Sequence, residues 1–139
     1  KVFERAVYES YKRCNEMKIT KKAFEELKVH CRETPDLESC GYLFGEDDLI
    51  KSIMRGKNLD ESSVTYTIDP ESTLKSVFRK DFKGVYHSHL GVPVPSGIDE
   101  SVGKHPNKYY LIYSISQDKL RAYNWDGKEF HEEDMGVID

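Results

Sequence analysis

The chain has 139 residues, which is the size of one folded domain and too short for two domains with separate cores. Its 25 acidic residues outnumber the 21 basic ones, and no basic stripe with interleaved aromatic residues occurs, so we expect no nucleic-acid partner. No apolar run approaches the roughly 18 residues of a membrane span, and no leader segment is visible, so we predict a cytoplasmic protein without a membrane partner.

We predict that residues 1–15 form an N-terminal extension and that residues 16–139 form a single domain. Apolar residues in the extension recur at helical spacing, although the same segment is compatible with a strand. We therefore expect an additional N-terminal helix or hairpin there, with the capacity to mediate homodimer formation.

The domain itself is predicted to alternate strands with a few helices. Thr20 is expected to cap a helix over residues 21–33, Pro70 to open a helix over residues 70–79, and Ser96 to cap a helix over residues 97–104. Strands are predicted over residues 17–20, 38–45, 49–54, 64–68, 84–89, 109–115, 120–125 and 128–133. This alternation predicts an α/β three-layer sandwich around a mixed sheet.

The three cysteines are Cys14, Cys31 and Cys40, an odd number without a Cys-x-x-Cys motif. This count indicates neither a disulfide framework nor a thiolate zinc cage, and it is typical of reduced, mostly buried thiols. A regulatory thiol or an intermolecular disulfide remains open as an alternative.

The fourteen residues from Tyr86 to Asp99 contain the side chains that a catalytic metal site requires. His87 and His89 are two residues apart on a predicted strand, so their side chains share one face and can bind one metal ion. Asp99 adds an oxygen ligand and leaves a fourth tetrahedral position for water, as in hydrolytic zinc sites.

Each of these residues also has a purely structural interpretation. The histidines could be satisfied by hydrogen bonds, Asp99 is favoured in the first turn of a helix, and Ser96 with Asp99 matches a capping box. Their occurrence together in so short a segment favours the metal site. The other histidines, His30, His105 and His131, are interpreted as surface or helix-end residues.

The order His-Ser-His, a proline-containing loop and Ser-x-x-Asp resembles the JAMM (MPN+) zinc metalloprotease family. The motif Glu-x-x-Gly-x-Leu-x-Gly that begins at Glu38 is similar to the family's strand with the catalytic glutamate, and the segment from Asn58 to Pro70 resembles its connecting segment. One departure concerns the loop between His89 and Ser96, whose six residues are one fewer than the family usually has. This shortening affects the position expected for Ser96.

The resemblance implies a cytidine-deaminase-like MPN fold, with a mixed, mostly antiparallel sheet flanked by helices. It implies one Zn²⁺ per chain, held by His87, His89 and Asp99. Glu38 is then the general acid/base, and Ser96 is the hydrogen-bond donor to the oxyanion.

The same resemblance implies an isopeptidase or peptidase that cleaves after the C-terminal Gly-Gly of ubiquitin-like modifiers. The compact chain leaves little room for insertions, which indicates the stand-alone archaeal type that removes such modifiers from lysines. We expect the modifier's tail to add a strand beside the Leu49–Met54 edge or the loop around residues 57–66. The alternatives are a non-catalytic MPN scaffold that binds ubiquitin-like partners, and a hydrolase that acts on sulfur-carrier adducts.

Overall fold

The computed structural model describes residues 17–96 and 108–139. Within them the elements in chain order are β1 (Met17–Thr20), α1 (Lys21–Glu33), β2 (Cys40–Glu46), β3 (Leu49–Arg55), α2 (Pro70–Ser76), β4 (Phe82–His89), β5 (Tyr109–Ser114), β6 (Lys119–Trp125), β7 (Phe130–Glu133) and β8 (Met135–Ile138). Several predictions fall outside the described residues: the N-terminal segment with Cys14, the helix over residues 97–104 with Asp99, and His105.

The described strands form one mixed sheet in the order β7-β6-β5-β4-β2-β3-β1-β8. Three neighbouring pairs are parallel, namely β4 with β5, β1 with β3, and β1 with β8. The other four pairs are antiparallel. The predicted mixed, mostly antiparallel sheet is therefore confirmed.

The sheet separates two hydrophobic cores, because alternate residues of each strand point to opposite faces. Helix α1 covers the first core through Leu27 and Cys31, which pack with strand residues such as Leu43 and Tyr86. The opposite core contains Tyr42 and lies beneath α2 and the segment before it. These layers give the α/β three-layer arrangement that the sequence predicts.

Both described helices begin where the sequence predicts, because each has a side-chain cap. The Thr20 hydroxyl accepts a hydrogen bond from the Ala23 amide, and the Asp69 carboxylate accepts one from the Ser72 amide. Helix α2 ends at Ser76, earlier than predicted. The chain then turns towards β4 through a segment held by the double ion pair between Arg79 and Asp81.

One strand prediction is wrong, and one strand was missed. Residues 64–68 form no strand, and only Ile68 makes a single bridge, with Asn58. Strand β8 was not predicted, since four residues without clear alternation carry no periodic signal, and it forms through parallel pairing with the distant strand β1.

The docking edge predicted at Leu49–Met54 is also wrong at its first two residues. Leu49 and Ile50 already pair with β1 on one side and β2 on the other. The other predicted docking position, the loop around residues 57–66, lies outside the eight-stranded sheet, although the amides of Leu59 and Glu61 already donate to carbonyls of the same segment.

Candidate metal centre

The candidate site forms where the start of β2 meets the end of β4. His87 lies directly opposite Cys40 in the antiparallel register, and His89 follows on the same face at the strand end. Glu38 lies two residues before β2 begins. The site is thus assembled from two neighbouring chain segments that are far apart in the sequence.

Two hydrogen bonds on the opposite side of β4 fix this meeting of segments. The Ser39 amide donates to Ser88 Oγ over 2.8 Å, and the Ser88 amide donates to the Ser39 carbonyl over 3.0 Å. Ser88 stands between the two histidines and points away from them, so its hydroxyl is free to bind the backbone next to Glu38. This contact explains why a small hydroxyl residue suits that position.

The three side chains converge on one point. The Nε2 atoms of His87 and His89 are 3.1 Å apart. Oε1 of Glu38 lies 3.4 Å from His89 Nε2 and 3.8 Å from His87 Nε2. Glu38 and His87 are almost fully buried, with 2% and 3% of their surfaces exposed, whereas His89 is partly open to the groove.

Contacts on the far sides of the rings orient the two imidazoles. Nδ1 of His89 lies 3.0 Å from the Val92 carbonyl, which can only accept, so Nδ1 carries the proton and Nε2 keeps its lone pair. The His87 ring stacks on Tyr66 with 4.6 Å between centroids and 24° between planes. Both Nε2 atoms therefore face the Glu38 carboxylate.

The donor set fits a divalent cation. Two nitrogens at about 2.0–2.1 Å from a tetrahedral zinc ion would stand about 3.3 Å apart, close to the 3.1 Å between His87 and His89. Burying the Glu38 carboxylate beside two neutral rings costs free energy, which a cation between them would offset. These three residues form one of two such ligand groups within the described residues.

Of the predicted site residues, Glu38, His87 and His89 are brought together, and Asp99 lies outside the described residues. Ser96 lines a groove of about 350 Å³ together with Glu38, His89 and the segment Leu90–Val92. The shortened loop before Ser96 is anchored, because the Pro93 carbonyl accepts a hydrogen bond from the Tyr123 hydroxyl. The loop thus still delivers Ser96 to the groove that contains the candidate ligands.

The glycine of the Glu-x-x-Gly motif has a steric explanation. A Cβ atom on Gly41 would lie 2.5 Å from the Tyr86 ring and 2.4 Å from the Met54 carbonyl. Tyr86 needs this space, because its hydroxyl lies 2.6 Å from His30 Nδ1 on helix α1. The motif glycine therefore leaves room for the Tyr86 ring on the strand that carries the two histidines.

The two described cysteines are free and buried, as predicted. Burial raises the pKa of the Cys31 thiol and of the Cys40 thiol to about 12. Both thiols therefore stay protonated at neutral pH and fill core positions, although Cys40 lies beside His87.

Sequence reasoning missed the contributions of Asn58, Tyr66 and Val92 to the surroundings of the site. Asn58 and Tyr66 belong to the connecting segment, but nothing in their spacing shows that the segment folds back onto Glu38 and His87. No periodic pattern indicates which backbone carbonyl orients His89. None of the described helices has the length and apolarity of a membrane span.

The fold and the site define a class of protein: an α/β protein with a candidate metal centre beside an open groove. Comparison with protein families agrees with this class. A family model described as prokaryotic homologs of the JAB domain matches residues 20–126.

Individual proteins show the same similarity. The chain is 33% identical over 128 residues to a desampylase from Haloferax volcanii, a match that covers 83% of this chain and 91% of the relative. It is 29% identical to the solved structure of a protein from Desulfitobacterium hafniense, with a TM-score of 0.77 and coverage of 88% and 93%. A structure described as a JAMM metalloprotease-like zinc site in the proteasome and signalosome shares the fold, with 19% identity, a TM-score of 0.62 and coverage of 89% and 99%.

The chain belongs to the family of prokaryotic JAB-domain homologs, within the JAMM/MPN group. It is a hydrolase, which confirms the predicted enzyme class.

Proposed function

We propose that this protein is a zinc-dependent isopeptidase that releases ubiquitin-like modifiers from lysines by cleaving after their C-terminal Gly-Gly. The observation that carries the proposal is the convergence of Glu38 Oε1 on the Nε2 atoms of His87 and His89, at 3.8 and 3.4 Å respectively, beside an open groove. The similarity to a desampylase supports the substrate class.

In this proposal one zinc ion per chain is held by His87, His89 and Asp99, with Asp99 assigned from the sequence motif. The ion would supply Lewis acidity, which polarises the scissile carbonyl and lowers the pKa of the attacking water. The hydrogen bond from His89 Nδ1 to the Val92 carbonyl keeps the Nε2 lone pair available as a ligand.

Glu38 is the proton carrier of the proposed reaction. Its Oε1 takes one proton from the attacking water and returns it to the lysine nitrogen when the carbon–nitrogen bond breaks. Ser96, on the same groove, donates a hydrogen bond to the carbonyl oxygen as that oxygen gains negative charge. Donors of this kind contribute about 3 kcal/mol in other hydrolases.

The groove beside the candidate ligands has exposed apolar residues in its lining. Val64 comes from the loop of residues 57–66, and Leu90 and Val92 follow β4. We predict that the modifier's tail binds along this groove and pairs with the loop by main-chain hydrogen bonds. The two C-terminal glycines of such a tail carry no side chains, so they would allow its backbone to approach the ligands closely.

The test is cleavage of a small ubiquitin-like modifier that is isopeptide-linked through its C-terminal Gly-Gly to a fluorescent lysine peptide. We expect the parent protein to hold one zinc ion and to release the peptide. Glu38→Gln should keep the ion and lose turnover by about 10²- to 10⁴-fold. Glu46→Gln, the same chemical change at an exposed ion pair with Lys51, is the matched control and should retain activity.

Three outcomes would contradict the proposal. Full activity of Glu38→Gln would remove Glu38 from the mechanism. One bound zinc ion without hydrolysis of any Gly-Gly conjugate would favour the non-catalytic scaffold. Cleavage of a sulfur-carrier adduct but not of the lysine conjugate would keep the enzyme and replace its substrate.

A further inference from the structure

The side chain of Asn58 makes an unusually complete set of hydrogen bonds within the part of the chain that is described. Its Nδ2 donates to the Glu38 carbonyl over 3.0 Å and to the Thr65 carbonyl over 2.9 Å. Its Oδ1 accepts from the amides of Asp60 and Thr67 over 3.0 and 3.1 Å. One amide group thus connects the backbone of Glu38 to both ends of the loop that forms a groove wall.

The backbone of Glu38 depends on this loop because it lies outside the sheet. Glu38 lies two residues before the start of β2, so strand pairing does not hold its backbone in place. Its amide donates to the Ser62 carbonyl over 2.8 Å, and its carbonyl accepts from Asn58. The loop therefore satisfies both backbone polar groups of the residue whose side chain carries the proton.

We propose that Asn58 is a positioning residue for Glu38, an inference that rests on the proposed function. Asn58 does not reach the ligand atoms; it sets where the Glu38 backbone lies relative to His87 and His89. A displacement of about 1 Å in a catalytic group can cost about 100-fold in rate, so a bond that fixes this backbone has a measurable effect on turnover.

Asn58→Asp separates the two functions of the side chain. An aspartate keeps an oxygen that accepts from the amides of Asp60 and Thr67, but it cannot donate to the carbonyls of Glu38 and Thr65. We expect kcat to fall by about 10- to 100-fold, with KM within about threefold and zinc affinity unchanged. Asn58→Ala, which removes all of these bonds without adding a charge, should lower kcat in the same direction.

The matched control is Asp69→Ala. Asp69 holds the other end of the same segment by accepting from the amides of Lys57 and Ser72, and it makes no contact with Glu38 among its hydrogen bonds. This variant should lose stability as an N-cap variant does, while kcat stays within about twofold of the parent. An equal loss of kcat in Asp69→Ala would reduce Asn58 to a general structural role and overturn the inference.

A double-mutant cycle tests whether Asn58 acts through Glu38. In a Glu38→Gln background the residual single-turnover rate should not fall further when Asn58→Asp is added, because the group being positioned is already absent. A full multiplicative loss in the double variant would contradict the inference.

Amide hydrogen exchange decides the same point without any substrate. The Glu38 amide should exchange at least tenfold faster in Asn58→Asp than in the parent, whereas the Ser88 amide on β4 and the amides of β5 keep their protection. Unchanged exchange at Glu38 would overturn the inference even if activity fell. If the parent cleaves no conjugate, the proposed function fails, and the exchange measurement still decides whether Asn58 positions Glu38.

Discussion

Two groups of side chains that could bind a metal ion lie within the described residues. In both groups the potential ligand atoms are close together, but the groups differ in burial and in how their residues are brought together. Glu38, His87 and His89 form one group, and Asp126, Glu129 and His131 form the other. The first is mostly buried and joins two chain segments, whereas the second is exposed and local to one hairpin turn. We call them the buried cluster and the exposed cluster.

The side chains of the exposed cluster already make hydrogen bonds to one another and to the nearby backbone. Oδ1 of Asp126 accepts from the amides of Lys128 and Glu129, and its Oδ2 lies 2.6 Å from His131 Nε2. These contacts stabilise the turn between β6 and β7 and are those expected of an aspartate that begins a turn. In the buried cluster, by contrast, the surroundings orient each ring towards a common point. Ligand proximity alone therefore does not distinguish a metal site from a turn; burial and orientation do.

The largest expected effect is on zinc affinity. Structural zinc sites bind with about 10–16 kcal/mol, so the loss of one protein ligand is worth about 3–5 kcal/mol, or on the order of 10²- to 10⁴-fold. His89→Ala should lose this affinity, measured by competition with a chelator of known strength. His131→Ala should leave the zinc affinity and the number of bound ions unchanged. If the parent bound a second zinc ion that His131→Ala lost, the exposed cluster would also be a metal site, and the contrast between the clusters would be wrong.

A smaller effect is expected from the backbone contact behind the buried cluster. Ser88→Ala removes the acceptor of the Ser39 amide and leaves that buried donor without its bond, at a cost of about 1–3 kcal/mol. The free energy of unfolding, measured with urea, should fall by this amount. Ser52→Ala, at an exposed position of β3, is the control and should change it by less than about 0.5 kcal/mol.

Removal of the Tyr66 ring, which stacks on His87, should cost a free energy similar to or smaller than that of the Ser88 contact. Aromatic pairs contribute about 0.5–1.5 kcal/mol beyond the area they bury, so Tyr66→Leu should weaken zinc binding by up to about tenfold. Tyr66→Phe keeps the ring and should bind zinc as the parent does. Equal losses in both variants would assign the effect to the hydroxyl and not to stacking.

The difference between the clusters also explains how much the sequence could predict. The pairing of His87 with His89 follows from strand periodicity, and the starts of the two described helices follow from the Thr20 cap and from Pro70 in the first turn. The position of Glu38 came from resemblance to a family motif, since nothing local relates it to β4. The identity of the fold was therefore predictable, together with the ligands that one strand carries.

Features that depend on non-local backbone contacts could not be predicted. The interpretation of residues 64–68 as a strand failed because the Asn58 side chain takes the backbone groups that a ladder would otherwise bind. Strand β8 was missed because its stability comes from pairing with β1, at the other end of the domain. The first error comes from a side-chain contact within the same segment and the second from a partner strand at the far end of the domain, and hydrophobic periodicity carries no information about either.

The smallest expected effect is a pH-dependent change in thermal stability that comes from the exposed cluster. The hydrogen bond with Asp126 raises the pKa of His131. The backbone hydrogen bond from Glu129 and the side-chain hydrogen bond from His131 lower the pKa of Asp126 to about 2. The contribution of His131 is complete below its unfolded pKa of about 6.5 and is lost as the pH rises through its folded value. The contribution of Asp126 is complete above about 3.9 and is lost as the pH falls towards 2.

The pair should therefore stabilise the hairpin only between these limits, and weakly, because solvent screens exposed charges. The Tm difference between the parent and His131→Asn should be positive near pH 5.5 and should disappear by about pH 9. The buried cluster provides the contrast, since the His131→Asn change should leave zinc affinity unaltered at both pH values. A Tm difference that persists at high pH would show that packing, and not charge, is what His131 contributes to the turn.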